Sequence, residues 1–252
     1  MKLDSLPGIL VVGAGHGIGL GLVRVLLEDY QASQVIATYR DETKASELMS
    51  LSQEYPERLK VQRLDPLSEN ELKVFSQKMK ESGFKIRLLL NACGYLHDEK
   101  FTPEKRLRSF STEYFFKCLQ VNTLITPLIL GAFEENIERA EETMISILSA
   151  KVGSIEDNKM GGWYSYRASK AALNMLVKTA AIEYQRTHKK LTLISMHPGT
   201  TKTSLSEPFL GGTKYQVHLP VESARNILNV LAKRSPEDSG KFFSWNGEEL
   251  PY

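Results

Sequence analysis

Short apolar runs alternate with amphipathic stretches along almost the whole chain. Ile9-Leu10-Val11-Val12 reads as a buried strand, and Gly17 to Asp29 follows as a helix with Ile18, Leu22, Val25 and Leu26 inward. Val35 to Thr38 predicts a second strand, and Glu42 to Glu54 a polar helix. Leu59 to Leu64 predicts a third strand; Ser68 then opens a helix with Glu71 three residues on, the spacing of a capping box. Ile86 to Leu90 is the fourth strand, Glu113 to Asn136 a long helical region, and Met144 to Leu148 the fifth strand. Tyr166 to His188 reads as a helix, Leu191 to Met196 as the sixth strand, Val221 to Lys233 as a late helix and Lys241 to Ser244 as a closing strand. Apolar strands spaced by helices predict an α/β protein with a doubly wound parallel sheet covered on both faces. No repeat or Pro/Gly-rich linker divides the chain, so one domain over 1–252 is expected, with 95–111 and 200–220 as loops within it.

Composition narrows the function classes. With 32 basic and 30 acidic residues the net charge is +2, which gives no electrostatic case for nucleic acid or an anionic membrane. No uninterrupted apolar run approaches the roughly 18 residues of a membrane span. Met1-Lys2-Leu3-Asp4 lacks a signal-peptide pattern. Cys93 and Cys118 have no metal-ligand spacing, so two reduced thiols, no bound metal and a cytoplasmic setting are expected.

Two clusters carry chemistry. Gly13-Ala14-Gly15-His16-Gly17-Ile18-Gly19 lies between a strand and a helix, where a helix N-terminus can hold a pyrophosphate. Its Gly-x-x-x-Gly-x-Gly spacing differs from the commoner Gly-x-Gly-x-x-Gly, and a lone glycine cluster also serves turns and packing. The second strand ends in Thr38-Tyr39-Arg40, without the acid that would bind the ribose 2′-hydroxyl of NAD. Arg40 can pair with a 2′-phosphate instead, which favours NADP(H) over NAD(H), and His16 can add a weak donor. The plainer reading of Arg40 is a solvated charge at a helix start.

The second cluster is Tyr166-Arg167-Ala168-Ser169-Lys170. Tyr and Lys four residues apart on a helix share one face, and an ammonium beside a phenol favours the phenolate over its usual pKa of about 10. Tyr164 is the competing phenol, but Ala168 follows it at that spacing. Only Tyr166 has the lysine.

In order along the chain come the Gly13–Gly19 loop, Asp65, Asn91-Ala92-Cys93-Gly94, Asn122, Ser149, Tyr166 with Lys170, and Pro198-Gly199. The chain thereby resembles the short-chain dehydrogenase/reductase family. Gly162 to Lys170, Leu96-His97-Asp98 and the Phe243-Ser244-Trp245-Asn246-Gly247 ending resemble its C-factor and sniffer-type carbonyl reductase branch. The resemblance implies a single Rossmann-type domain with seven parallel strands in the order 3-2-1-4-5-6-7. It implies Asn122, Ser149, Tyr166 and Lys170 as the catalytic set, with Tyr166 the general acid, Ser149 holding the carbonyl oxygen, and Lys170 binding the nicotinamide ribose. Asn122 would complete a water-linked proton path to Lys170. It places Asp65 near adenine, Asn91, Ala92 and Gly94 along the adenosine side, and Pro198, Gly199, Thr201 and Thr203 near nicotinamide. Gly13, His16, Gly17, Ile18 and Gly19 would hold the phosphates. Family members often pair through the helices matching Glu113–Asn136 and Tyr166–His188, so a homodimer or homotetramer is expected.

There are departures. The usual Asn-Asn-Ala-Gly is Asn-Ala-Cys-Gly, so Ala92 offers no side-chain amide and Cys93 reads as a buried thiol rather than a reactive one. Val12 replaces the usual Thr at the head of the glycine loop. Ser149 and Asn122 each also read as residues bonding local backbone, at a strand end and in a helix bend. His97 and Asp98 read as a solvated loop pair; Met160, Trp163 and Tyr164 read as pocket lining or as core. The 200–220 segment matches the family's substrate lid, with Gly211-Gly212 as hinge points, and its shortness suggests broad carbonyl tolerance. The expected activity is NADPH-dependent reduction of an aldehyde, ketone or quinone. The alternative is a nucleotide-binding signalling protein of the C-factor type with little turnover. A halohydrin dehalogenase-like lyase is set aside, because Lys170 and the glycine loop are intact.

Overall fold

The computed structural model describes residues 2–252. Strands β1 (Ile9–Val12), β2 (Val35–Tyr39), β3 (Leu59–Arg63), β4 (Leu88–Asn91), β5 (Thr143–Leu148), β6 (Leu191–His197) and β7 (Phe242–Ser244) pair in parallel in the order β3-β2-β1-β4-β5-β6-β7. This is a Rossmann-type sheet whose order reverses between β1 and β4, the switch point where such sheets bind ligands at their carboxyl ends. Alternation along each strand divides the core. Ile9 and Val11 of β1 join one cluster, Leu10 and Val12 the other.

Helices α1 (Gly17–Glu28), α2 (Ser46–Glu54) and α7 (Pro220–Leu231) cover the first face. On the second lie α3 (Glu69–Glu81), α4 (Thr112–Leu119), α5 (Ile125–Phe133) and α6 (Tyr164–Thr187). Both faces of the central strands are covered, which is why β1 and β4 read as near-continuous hydrophobic runs, whereas the edge strand β3 carries Lys60, Gln62 and Arg63.

Local chemistry explains where the elements depart from the sequence pattern. The helix expected from Glu42 begins instead at Ser46, after a short 3₁₀ turn at Glu42–Lys44. The Asp41 carboxylate sets that turn by accepting from the Thr43 amide at 3.1 Å and from its hydroxyl at 2.7 Å. The capping box at Ser68 is half formed. Ser68 Oγ accepts from the Glu71 amide at 3.3 Å, but the Glu71 carboxylate accepts from the Asp65 amide at 2.9 Å, tying α3 to the end of β3. Ile86 lies outside β4 and bridges to Ile137.

The long helical region is continuous but contains a π turn, Gln120–Leu124, between α4 and α5. By length and composition the stretch Thr112–Asn136 meets the criterion for a membrane span. Lys117, Gln120 and Asn122 hide this from a search for an unbroken apolar run. Ile125, Ile129 and Phe133 of α5 are buried in the core, whereas Phe116 and Leu124 of the same stretch are exposed.

The turn from β1 into α1 is as tight as backbone permits. Gly13 has φ +82°, and a Cβ at Gly19 would stand 2.1 Å from the Gly13 carbonyl oxygen. Gly19→Ala is therefore expected to lower the thermal midpoint by roughly 3–10 °C through overpacking. Differential scanning fluorimetry checks this; an unchanged midpoint would mean that the turn opens freely.

Candidate active site

The sequence-predicted residues gather at the carboxyl edge of the sheet. Two clusters of them meet there, one at β1–β4 and one at β5–β6.

At the first, the N-terminal amides of α1 lack a side-chain partner: its N-cap residue His16 makes no capping bond, and the first turn carries no acid. That is the arrangement an anion requires. The missing hydroxyl at Val12 is supplied from the neighbouring strand, since the Thr38 hydroxyl accepts from the Gly13 amide at 3.4 Å. A cleft beside this turn is lined by Gly13, His16, Arg40, Lys44, Cys93 and Gly94, among others. Arg40 and Lys44 bring two cations to this cleft and Asp41 one carboxylate, 4.0 Å from Lys44, so the residues present fit a dinucleotide. Burial and the nearby Lys44 lower the His16 pKa from 6.5, so at neutral pH this imidazole brings a neutral donor and no charge. Burial pushes the Cys93 thiol up to about 12, consistent with a structural thiol.

Flanking residues build the walls. Asp65 accepts from the Leu67 amide at 3.0 Å; Asn91 bonds Thr126 Oγ1 and the Cys93 amide, both at 3.1 Å. The Ala92 amide bonds the Val12 carbonyl at 2.9 Å, and Gly94 is exposed. Across the cleft, Ser223 ties the loop after β6 to α7, donating to the Pro198 carbonyl at 2.7 Å and accepting from Thr201 at 3.0 Å. Gly199 has φ +80°, and a Cβ there would stand 2.8 Å from the Trp245 ring. A Cβ at Gly17 would stand 3.4 Å from the Thr203 methyl, so this loop approaches the phosphate turn.

At the second cluster, α6 carries Tyr166 and Lys170 one turn apart, both buried. Lys170 Nζ donates to the carbonyl of Leu148, the last residue of β5, at 3.0 Å and lies 6.0 Å from the Tyr166 ring centroid. Burial lowers the Lys170 pKa to about 8, with Cys93 and Cys118 opposing. Burial, and less so Cys118, raises the Tyr166 phenol above its usual 10.0. In the protein alone burial sets the direction of this shift, and the phenol holds its proton at neutral pH.

Ser149 follows Leu148 directly. Its hydroxyl donates to Asn174 Oδ1 at 2.7 Å. Asn122 lies in the π turn, a helix bend as one sequence reading had it. It accepts from the Tyr95 amide at 2.7 Å and donates to the Tyr95 carbonyl at 2.8 Å and to Ser169 Oγ at 3.0 Å. It thus clips the 95–111 loop to α6.

Trp163 precedes α6 in a left-handed conformation, φ +53°, and its ring meets Tyr166 and Phe209 edge-on at centroid distances of 6.0 and 5.2 Å. His97 is a half-buried loop residue that packs on Phe209 at 5.3 Å and bonds the Ser204 carbonyl at 3.2 Å. Asp98 does serve its loop, accepting from the Lys100 and Phe101 amides. Met160 is 83% exposed, so it does not belong to the core.

Sequence reasoning missed three participants. Asn174 stands four residues beyond Lys170, so helical periodicity could have found it. Lys44 follows Arg40 by four. Glu104 gave no signal; its buried carboxylate bonds both the amide and the hydroxyl of Ser165, pinning the loop to the first turn of α6.

Residues 8–211 match the family model described as short chain dehydrogenase, and the chain belongs to that family. An uncharacterised oxidoreductase of Schizosaccharomyces pombe is 26% identical over 96% of both chains. The C-signal of Myxococcus xanthus is 30% identical over 52% of this chain and 75% of its own length. Among solved structures, the Drosophila melanogaster carbonyl reductase Sniffer shares the fold, with TM-score 0.86 and 23% identity over 98% of this chain and 100% of that one. The NADPH-bound carbonyl reductase from chicken fatty liver matches with TM-score 0.84 and 28% identity over 99% of this chain and 95% of that one. The chain is accordingly an oxidoreductase of the nicotinamide-dependent type.

Proposed function

We propose that the protein reduces aldehydes, ketones or quinones to alcohols with NADPH, Tyr166 serving as general acid. The observation that carries this reading is the buried pair on α6, with Lys170 anchored to the residue just before Ser149. A bound nicotinamide supplies the hydride. Tyr166, protonated at neutral pH, donates its phenolic proton to the carbonyl oxygen, and Ser149 holds that oxygen by hydrogen bonding. Lys170 keeps a positive charge behind the phenol and bonds the nicotinamide ribose, easing loss of the proton as the alkoxide develops. Asn122 fixes the loop that faces the site. Gly13, His16, Gly17, Ile18 and Gly19 bind the pyrophosphate. Asp65, Asn91, Ala92 and Gly94 line the adenosine side, and Pro198, Gly199, Thr201 and Thr203 the nicotinamide side.

Arg40, with Lys44 beside it, selects the 2′-phosphate. NADPH is expected to bind about tenfold or more tightly than NADH at low salt, with the gap closing in Arg40→Ala and narrowing at high ionic strength. Titration by nicotinamide fluorescence checks this; equal affinities in the parent protein would refute the NADP preference. Exposed Phe116, Met175 and Ile182 on α4 and α6 support pairing of two copies through these helices. The free thiols Cys93 and Cys118 support a cytoplasmic setting. The C-signal likeness favours a second reading, a nucleotide-binding signal with little turnover; measurable carbonyl reduction distinguishes the two.

A further inference from the structure

A hydroxyl has one proton to donate, and its direction decides what Ser149 offers a substrate. Ser149 is 4% exposed, and its hydroxyl proton is committed to Asn174 Oδ1 at 2.7 Å. Asn174, 2% exposed, lies on α6 four residues beyond Lys170 and eight beyond Tyr166, on the same helix face. Its Nδ2 is buried and has no hydrogen-bond partner among the described residues. Half a turn of the amide about its last torsion exchanges Oδ1 and Nδ2 and moves no other atom. Nδ2 then donates to Ser149 Oγ, and the atom left unpaired is a carbonyl oxygen, which tolerates burial better than an N–H. The Ser149 proton is released toward the substrate oxygen.

We infer that Asn174 is a positioning residue that sets the polarity of Ser149. With its amide donating, Ser149 becomes a hydrogen-bond donor to the carbonyl; with its amide accepting, Ser149 offers only lone pairs. No bond to Ser149 or Asn174 forms or breaks during reduction. The carbonyl carbon gains the hydride from the bound nicotinamide, the oxygen gains the Tyr166 proton, and solvent reprotonates the phenolate. The inference rests on the carbonyl-reductase reading above.

Asn174→Asp is the sharpest variant, since an ionised carboxylate has the same shape but can only accept, locking the Ser149 proton inward. The test compares the parent, Ser149→Ala, Asn174→Asp and the double variant, each with NADPH and a reducible aldehyde. Thermal melting and NADPH titration are run alongside. Loss of one donor to a developing oxyanion costs about 10²–10³-fold in rate. Ser149→Ala is therefore expected to lose about 100-fold in kcat, and Asn174→Asp about 10- to 100-fold, with NADPH affinity unchanged. The double variant should lose no more than Ser149→Ala, because Asn174 acts only through that hydroxyl. Asn174→Ala gives the converse comparison and stands in if Asn174→Asp does not fold: with no acceptor beside it Ser149 stays free to donate, so kcat should hold within about tenfold of the parent, and a loss as large as that of Ser149→Ala would overturn the inference. With an active parent, losses that multiply in the double variant, or parental kcat in a folded Asn174→Asp, would overturn the inference alone. A parent that binds NADPH but reduces nothing would overturn the functional reading, and this inference with it.

Discussion

Tyr166→Phe should fold and bind NADPH with parental affinity, yet reduce carbonyls about 10²–10⁴-fold more slowly. The substitution removes one oxygen and leaves the ring against Trp163. The buried phenol is held above its usual pKa, so it carries its proton throughout the neutral range and is ready as an acid. Tyr164, at 37% exposed, has no lysine four residues on, and Tyr164→Phe should lose far less. Steady-state kinetics on both variants checks the register. Matching losses would mean that the lysine spacing does not identify the acid.

Lys170→Met should damage two quantities and relieve a third. Cofactor affinity should fall with the loss of the ribose contact, and residual alcohol oxidation should move to higher pH as the phenolate loses its counter-charge. Stability should change in the opposite sense near neutrality. In the fold the Lys170 pKa is about 8, against 10.5 for a solvated lysine. Between these values the unfolded chain binds the extra proton, so the folded state gains stability as pH rises through that window. Below it, the full cost of burying the ammonium remains. Parent stability, measured relative to Lys170→Met without cofactor, should therefore increase from pH 7.5 to pH 10. Chemical denaturation at several pH values reads this slope, and a flat difference would show that desolvation does not set the lysine's charge.

Much of this was legible because two signals coincide in the sequence. Burial on both faces gave β1 and β4 near-continuous apolar runs, and periodicity placed Tyr166 with Lys170. What escaped depends on contacts between segments far apart in the chain. Thr38 replaces a hydroxyl absent at Val12 only because β2 lies beside β1. Glu104 reaches Ser165 across 61 residues. Asn122 and Ser149 were legible as site residues or as residues bonding local backbone, but their partners in the fold, Tyr95 and Ser169 for Asn122 and Asn174 for Ser149, come from other segments. Local pattern names such residues; packing decides what they touch.

The most direct measurement is NADPH consumption by the parent and Tyr166→Phe against a panel of aldehydes, ketones and quinones. The site is expected to consume NADPH with formation of an equal amount of alcohol (hydroquinone from the quinones), and the variant to lose that turnover while still binding the cofactor. Bound NADPH that no carbonyl in the panel oxidises would contradict the assignment of a reductase.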